Sequence, residues 1–199
     1  MNRFLAVLAV VAMAVTIPTI GSATPTDCST LSVPFSGTVN GGLTVSDSDN
    51  CQLDGATIHG GIDMTNGSLQ VSNSTIDGGI DMTAGSLLVC GSRVNGRINA
   101  TGGSSVVVGA VEEPEDGLPL SGPCPGNRID GNTTVSGVSS VEFDTNLING
   151  GLDLFNNGPV EVEANDIQGP LNCSGNTSVT NDVLPNSVTG PETGQCAGL

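Results

Sequence analysis

The chain of 199 residues carries 20 acidic side chains against four arginines, a formal charge of −16, and it has no lysine, tryptophan or tyrosine. Such a surface repels phosphate and offers no basic patch, which argues against nucleic acid or an anionic membrane as a partner. One histidine, and six cysteines without a Cys-x-x-Cys pair, leave a zinc site almost nothing to draw on.

Residues 1–23 read as a secretory signal: Arg3 opens it, Phe4 to Ile17 is apolar, and Gly21-Ser22-Ala23 offers a cleavage site. The apolar run is too short to span a bilayer. Cleavage there would leave 176 residues with a charge of −17. Cys28 lacks the apolar run that precedes a lipidated cysteine. The expectation is a secreted, extracellular or envelope-associated monomer, not inserted in a membrane, with its cysteines in disulfides.

Residues 24–38 are expected to cap the N-terminal end, with Leu31-Ser-Val33-Pro-Phe35 as a half rung stopped by proline. From residue 39 to 183 the chain repeats itself. Ile58-His-Gly-Gly-Ile-Asp-Met becomes Ile76-Asp-Gly-Gly-Ile-Asp-Met and then Val94-Asn-Gly-Arg-Ile-Asn-Ala. Aligned on this line, rungs start at Val39, Ile58, Ile76, Val94, Ile129, Ile148 and Ile167, at intervals of 19, 18, 18, 35, 19 and 19 residues. The long interval is one rung plus an inserted loop at about 109–126.

Each rung holds two stretches with the two-residue period of a strand: Ile76-x-Gly78-x-Ile80-x-Met82, and a Leu-x-Val such as Leu69/Val71, Leu87/Val89, Val141/Phe143 and Val160/Val162. Asn, Ser and Gly fill the gaps as bend residues. A rung this small buries its apolar face only against copies of itself. The predicted fold is therefore all-β, a single-stranded parallel β-helix of about seven rungs of 18–19 residues. A left-handed hexapeptide helix would use Ile76, Met82, Leu88 and Val94. It puts Gln70 inside and breaks on 19-residue rungs, so the right-handed form is favoured. Ser105 is the exception to the Leu-x-Val pattern.

From Leu184 the repeat dissolves, and residues 184–199 are expected to form a C-terminal cap. Fifteen disulfide pairings are formally open. The columns favour Cys28–Cys51 and Cys173–Cys196 at the two ends, and Cys90–Cys124 tying the inserted loop to the preceding rung.

The tail Leu171-Asn-Cys173-Ser-Gly-Asn176, Asn186-Ser-Val-Thr-Gly190 and Gly194-Gln-Cys196 resembles the closing segment of small secreted actinobacterial β-helix proteins, a group without an assigned activity. The resemblance covers about 30 residues. The short triangular rung is also similar to bactofilin polymers, which lack export signals and disulfide caps.

Stacking turns outward positions into columns. One reads Asn40, His59, Asp77, Asn95, Asp130, Asn149, Gln168, and another Thr44, Asp63, Asp81, Asn99, Thr134, Asp153, Asn172. A groove floored by Gly42, Gly61, Gly79 and Gly151 is expected between them. Asp63, Asp77 and Asp81 are the candidate calcium ligands, since a hard cation wants clustered oxygens. The same three, with Arg97 or Arg93, are the residues a polysaccharide hydrolase or lyase would use. Against catalysis stand the three phenylalanines left beyond the signal, short rungs without loops to wall a site, and the expected pairing of Arg97 with Asp81. His59 reads as a surface residue in a polar column. A Ser46, Thr65, Thr83, Thr101, Ser136 column, interrupted by Phe155, is too mixed for an ice-binding array. Asn-x-Ser/Thr matches fall at Asn66, Asn73, Asn99, Asn132, Asn172 and Asn176.

The sequence thus points to a secreted non-catalytic β-helix, a structural or surface/adhesive module. Its contact surfaces would be the acid and amide columns or the Glu112-to-Asp116 loop, toward carbohydrate, a cell-surface component or a divalent cation. A carbohydrate-active enzyme and a calcium-dependent binding module are the alternatives. No cofactor other than calcium is implied.

Overall fold

The computed structural model describes residues 24–109, 124–181 and 184–199. The signal-like residues 1–23, most of the inserted loop and its Glu112-to-Asp116 stretch lie outside the described residues. Those described form a parallel β-solenoid of three sheets, with nine, seven and eight strands, and contain no α-helix. One 3-10 turn, Cys28–Thr30, is capped by Asp27.

A single turn shows the plan. Thr75–Ile76 lies in the eight-stranded sheet, Ile80–Met82 in the nine-stranded and Ser86–Cys90 in the seven-stranded. Every strand pairs in parallel with its equivalent one rung away, so the repeat is in register along the whole stack. Ile58, Ile76, Val94, Ile129, Ile148 and Ile167 form one column, each 0% exposed. Burying each such side chain contributes about 2 kcal/mol.

The glycine of the Ile-x-Gly line has a steric cause. A Cβ at Gly60, Gly78, Gly96, Gly131, Gly150, Gly169 or Gly190 would come within 2.6–2.8 Å of the preceding rung's backbone. At this corner successive turns touch main chain to main chain, and any side chain would push them apart.

Buried amides lock the opposite bends. The N–H of Ala56 donates to Ser74 Oγ, that of Ser74 to Ser92 Oγ, and that of Ser92 to Asn127 Oδ1, at 2.8–3.0 Å. The line continues from Asn127 to Asn146, Asn165 and Asn186, each N–H donating to the next side-chain oxygen. Each of these asparagine Nδ2 groups also donates to a main-chain carbonyl, that of Val89, Val108, Phe143 or Val162. A shorter ladder runs from Val138 through Asn157 and Asn176 to Gln195. The main-chain N–H groups and asparagine amides named here thus find their partners within the protein.

The structure corrects the sequence reading in two places, the fourth rung and the C-terminal end. The fourth rung has no exception, because Val106 and Val108 pair with Leu87 and Val89 while Ser105 pairs with Ser86. A bend one residue longer, through Gly102 and Gly103 at positive φ, shifts the pattern. The hexapeptide register fails at Leu88, which lies outside the core cluster between inward Leu87 and Val89.

The repeat also continues past Leu184. Ser187–Val188 pairs with Asp166–Ile167, and Glu192–Gly194 with Leu171–Cys173, giving about eight turns. Main-chain pairing outlasts the apolar pattern there because Gly194 and Glu192 stand where earlier rungs carry apolar side chains. At the other end, Thr26–Asp27 supplies the edge strand against Leu43–Val45, and Phe35 bridges Leu53. Val33, within the expected half rung, is 48% exposed.

All six cysteines are paired: Cys28–Cys51, Cys90–Cys124 and Cys173–Cys196, with Cα separations of 5.9, 5.3 and 5.2 Å. Two bridges close the ends. The third fastens Cys124, where the chain re-enters the stack, to the outer face of the seven-stranded sheet. No helix among the described residues is long and apolar enough to cross a membrane.

Candidate functional site

The outer faces carry three sets of polar side chains, one per sheet. On the eight-stranded sheet, the column His59, Asp77, Asn95, Asp130, Asn149 is a chain of contacts. His59 Nδ1 meets Asp77 Oδ2 at 2.7 Å, and Asn95 Nδ2 donates to Asp77 Oδ1 at 3.0 Å. Arg93 binds both Asn95 and Asp130, and Arg128 reaches Asp130 at 2.8 Å. The hydrogen bond from His59, joined by Asn95, holds the Asp77 carboxyl below its ordinary range. Burial pushes Asp130 up, but the charges of Arg128 and Arg93 outweigh it and hold that carboxyl low. His59 is thus a surface residue, as the sequence reading has it, and it is paired with an aspartate.

On the nine-stranded sheet, Thr44, Asp63, Asp81, Asn99, Thr134, Asp153 and Asn172 stand in strict register, as the repeat predicts. Asp81 accepts from Arg97 at 3.0 Å and Asn99 at 3.2 Å, and Asn172 donates to Asp153 at 2.7 Å. The expected Arg97–Asp81 pair is present. Asp63 and Asp81 thus lie on adjacent strands, whereas Asp77 belongs to another sheet and another network. Among the described residues no three histidine, cysteine, aspartate or glutamate side chains are gathered as a metal-holding group, Asp63, Asp77 and Asp81 included. Asp77 and Asp81 use their oxygens to hold the neighbouring rungs together.

The seven-stranded sheet carries a set that the sequence reading missed. Val141–Asp144 and Pro159–Glu163 pair so that Glu142 stands beside Glu161 and Asp144 beside Glu163. With Val141, Phe143, Val160 and Val162 all pointing inward, strand alternation places these four carboxyl groups together on the outer face. Neighbours across the ladder are about 4.8 Å apart. On the other side Gly109 is in register with Asp144 and Val107 with Glu142.

Two of the four are nearly inaccessible, Asp144 at 2% exposure and Glu163 at 5%. Asp144 Oδ1 is buried with no hydrogen-bond partner. Burial first, then a hydrogen bond with Glu142 and the charges of Glu142, Glu161 and Glu163, push the Asp144 carboxyl up to about 10. The Asp144 carboxyl thus favours its protonated form. The signal was legible: Val-Glu-Phe-Asp recurs 19 residues later as Val-Glu-Val-Glu, with every acid at an outward position.

Beside the acids, Leu88 and Val107 face outward yet are 7% and 4% exposed, and serines 86, 105 and 140 flank them.

No known protein family, curated protein or solved structure matches this chain.

Proposed function

We propose that the protein is a secreted, non-catalytic β-helix that serves as a structural or surface/adhesive module of the extracellular space or cell envelope. The observation carrying this reading is how the outward polar groups are used. Asp77, Asp81, Asp130 and Asp153 each bind a side chain on a neighbouring rung, and disulfides close both ends of the stack. Groups engaged this way stiffen a rod. A general acid or base instead needs a proton free to move toward a substrate.

The signal-like first 23 residues and the paired cysteines support an oxidising destination. The tail's likeness to small secreted actinobacterial β-helix proteins supports the same reading. The regular acid and amide columns are the surface through which such a module would touch carbohydrate or a cell-surface component.

The test is to incubate the purified protein with pectins, alginates and related polymers and to assay reducing ends and unsaturated products. No turnover is expected. Turnover that disappears in Asp81→Asn would instead establish a carbohydrate-active enzyme using Asp63, Asp77 or Asp81.

A further inference from the structure

Five asparagines are followed by glycine: Asn40, Asn66, Asn95, Asn149 and Asn157. In such a pair the glycine nitrogen, with no Cβ to hinder it, can attack the side-chain carbonyl carbon of the asparagine. A bond forms from that nitrogen to Cγ, the Cγ–Nδ2 bond breaks, and ammonia leaves a cyclic imide. Water then opens the ring at either carbonyl and gives aspartate or isoaspartate. The step requires a glycine N–H that can lose its proton and a side chain free to swing over its own backbone.

The fold treats the five pairs unequally. Asn157 is 4% exposed; its Oδ1 accepts from the N–H of Val138, and its Nδ2 donates to the carbonyl of Val135. The N–H of Gly158 is also engaged, donating to Val138 at 2.8 Å. Asn95 donates to Asp77 and accepts from Arg93, while the N–H of Gly96 donates to Gly78 at 3.0 Å. Asn149 is held by Asp130 through its amide and by Ile129 through its main-chain N–H.

Asn66 differs at both reacting atoms. It lies exposed in the bend between Ile62–Met64 and Ser68–Ser72. Among the described residues neither its side chain nor the N–H of Gly67 has a hydrogen-bond partner. Asn40, exposed on the first rung, has the same freedom, and so does the N–H of Gly41. We propose that Asn40 and Asn66 are modification sites, deamidating spontaneously in the folded protein, while the stacked rungs protect Asn95, Asn149 and Asn157.

The bend at Asn66 tolerates the change. Its flanks are fixed by the N–H of Thr65 on Val45 and that of Ser68 on Asp49, so the strands stay paired when the residue between them is converted. Each event adds one carboxylate to an already acidic surface, at position 66 beside the bend that carries Asp47 and Asp49. It needs only water and base, and it stands whether or not the module is catalytic.

The test is to incubate the purified protein at 37 °C at pH 7 and pH 9 and to follow each asparagine by peptide mass mapping, with isoaspartate detected separately. Conversion at Asn40 and Asn66 is expected to outpace that at Asn95, Asn149 and Asn157 by at least about tenfold, since the protected three must wait for local opening. It should speed up as pH rises. In concentrated urea with the disulfides reduced, all five are expected to convert at similar rates. Asn66→Gln should abolish conversion at that position and leave Asn40 unchanged. Folded protein in which Asn66 stays intact, or in which Asn95 or Asn157 converts as fast as Asn66, would overturn the proposal.

Discussion

Replacing Asp144 by asparagine keeps the side chain's volume and removes its ability to ionise, which makes it the most informative single substitution. Burial and three neighbouring acids raise the Asp144 pKa above its unfolded value of 3.8. The stabilisation carried by the protonated form is therefore complete below about pH 4 and is lost as pH rises through the neutral range toward the folded pKa. One proton held by the folded but not the unfolded chain corresponds to a slope on the order of 1.4 kcal/mol per pH unit. In metal-free buffer, urea unfolding at pH 5, 7 and 9 is expected to show the wild type weakening across this window. Asp144→Asn should be more stable than the wild type at pH 7 and nearly flat. Thr133 offers a second residue-scale test. It stands in a core column between Ile98 and Leu152 at 0% exposure, and its Oγ1 has no partner. Thr133→Val removes a buried hydroxyl at little change of shape and is expected to stabilise the protein by about 1 kcal/mol, read as a higher urea midpoint.

At the scale of the element, the bend matters as much as the strand. Asn146 fills one position in the amide ladder: its Oδ1 accepts from Asn127, and its Nδ2 donates to Val108 and Asn165. Asn146→Ala leaves a buried N–H and a buried carbonyl unmet, and a loss of about 2–4 kcal/mol is expected in denaturant unfolding. Asn149→Ala, on the outer column of the same rung, should cost well under 1 kcal/mol. This contrast also shows what the sequence disclosed. The strands were legible because alternation at Ile80, Met82, Leu87 and Val89 has one physical meaning. The buried asparagines were readable only as bend residues, since Asn127, Asn146 and Asn165 look like any turn asparagine until neighbouring rungs surround them. Their constant place, two residues before the column isoleucine, was the available clue. Ser105 misled because a bend longer by one residue moves the pattern to Val106 without changing composition. The C-terminal turn hid because main-chain pairing at Glu192–Gly194 needs no apolar side chain. The acids at 142, 144, 161 and 163 stand on the outer face of the Leu-x-Val strands, where no apolar periodicity marks them.

For the whole molecule, each rung contacts only its neighbours, so stability is passed along the stack and the ends are its weakest points. The Cys173–Cys196 bridge closes a segment of 23 residues and joins the last apolar rung to the tail. Replacing both cysteines by alanine is expected to remove about 3 kcal/mol in the chain-entropy account. Hydrogen exchange should then accelerate first in Leu171–Ser174 and Glu192–Gly194, while Ile80–Met82 and Ser86–Cys90 stay protected. Uniform acceleration along the chain would show that the solenoid unfolds as one unit.

The amide ladder also has a direction. At every step from Ala56 to Asn165, a main-chain N–H is satisfied by a side chain that arrives one turn later in sequence. A growing chain emerging residue by residue therefore always carries one unmet donor at its newest bend, and the following turn quenches it. Trimming from the tail re-exposes that donor, whereas trimming from the head does not, so the two termini differ in how far they can be shortened.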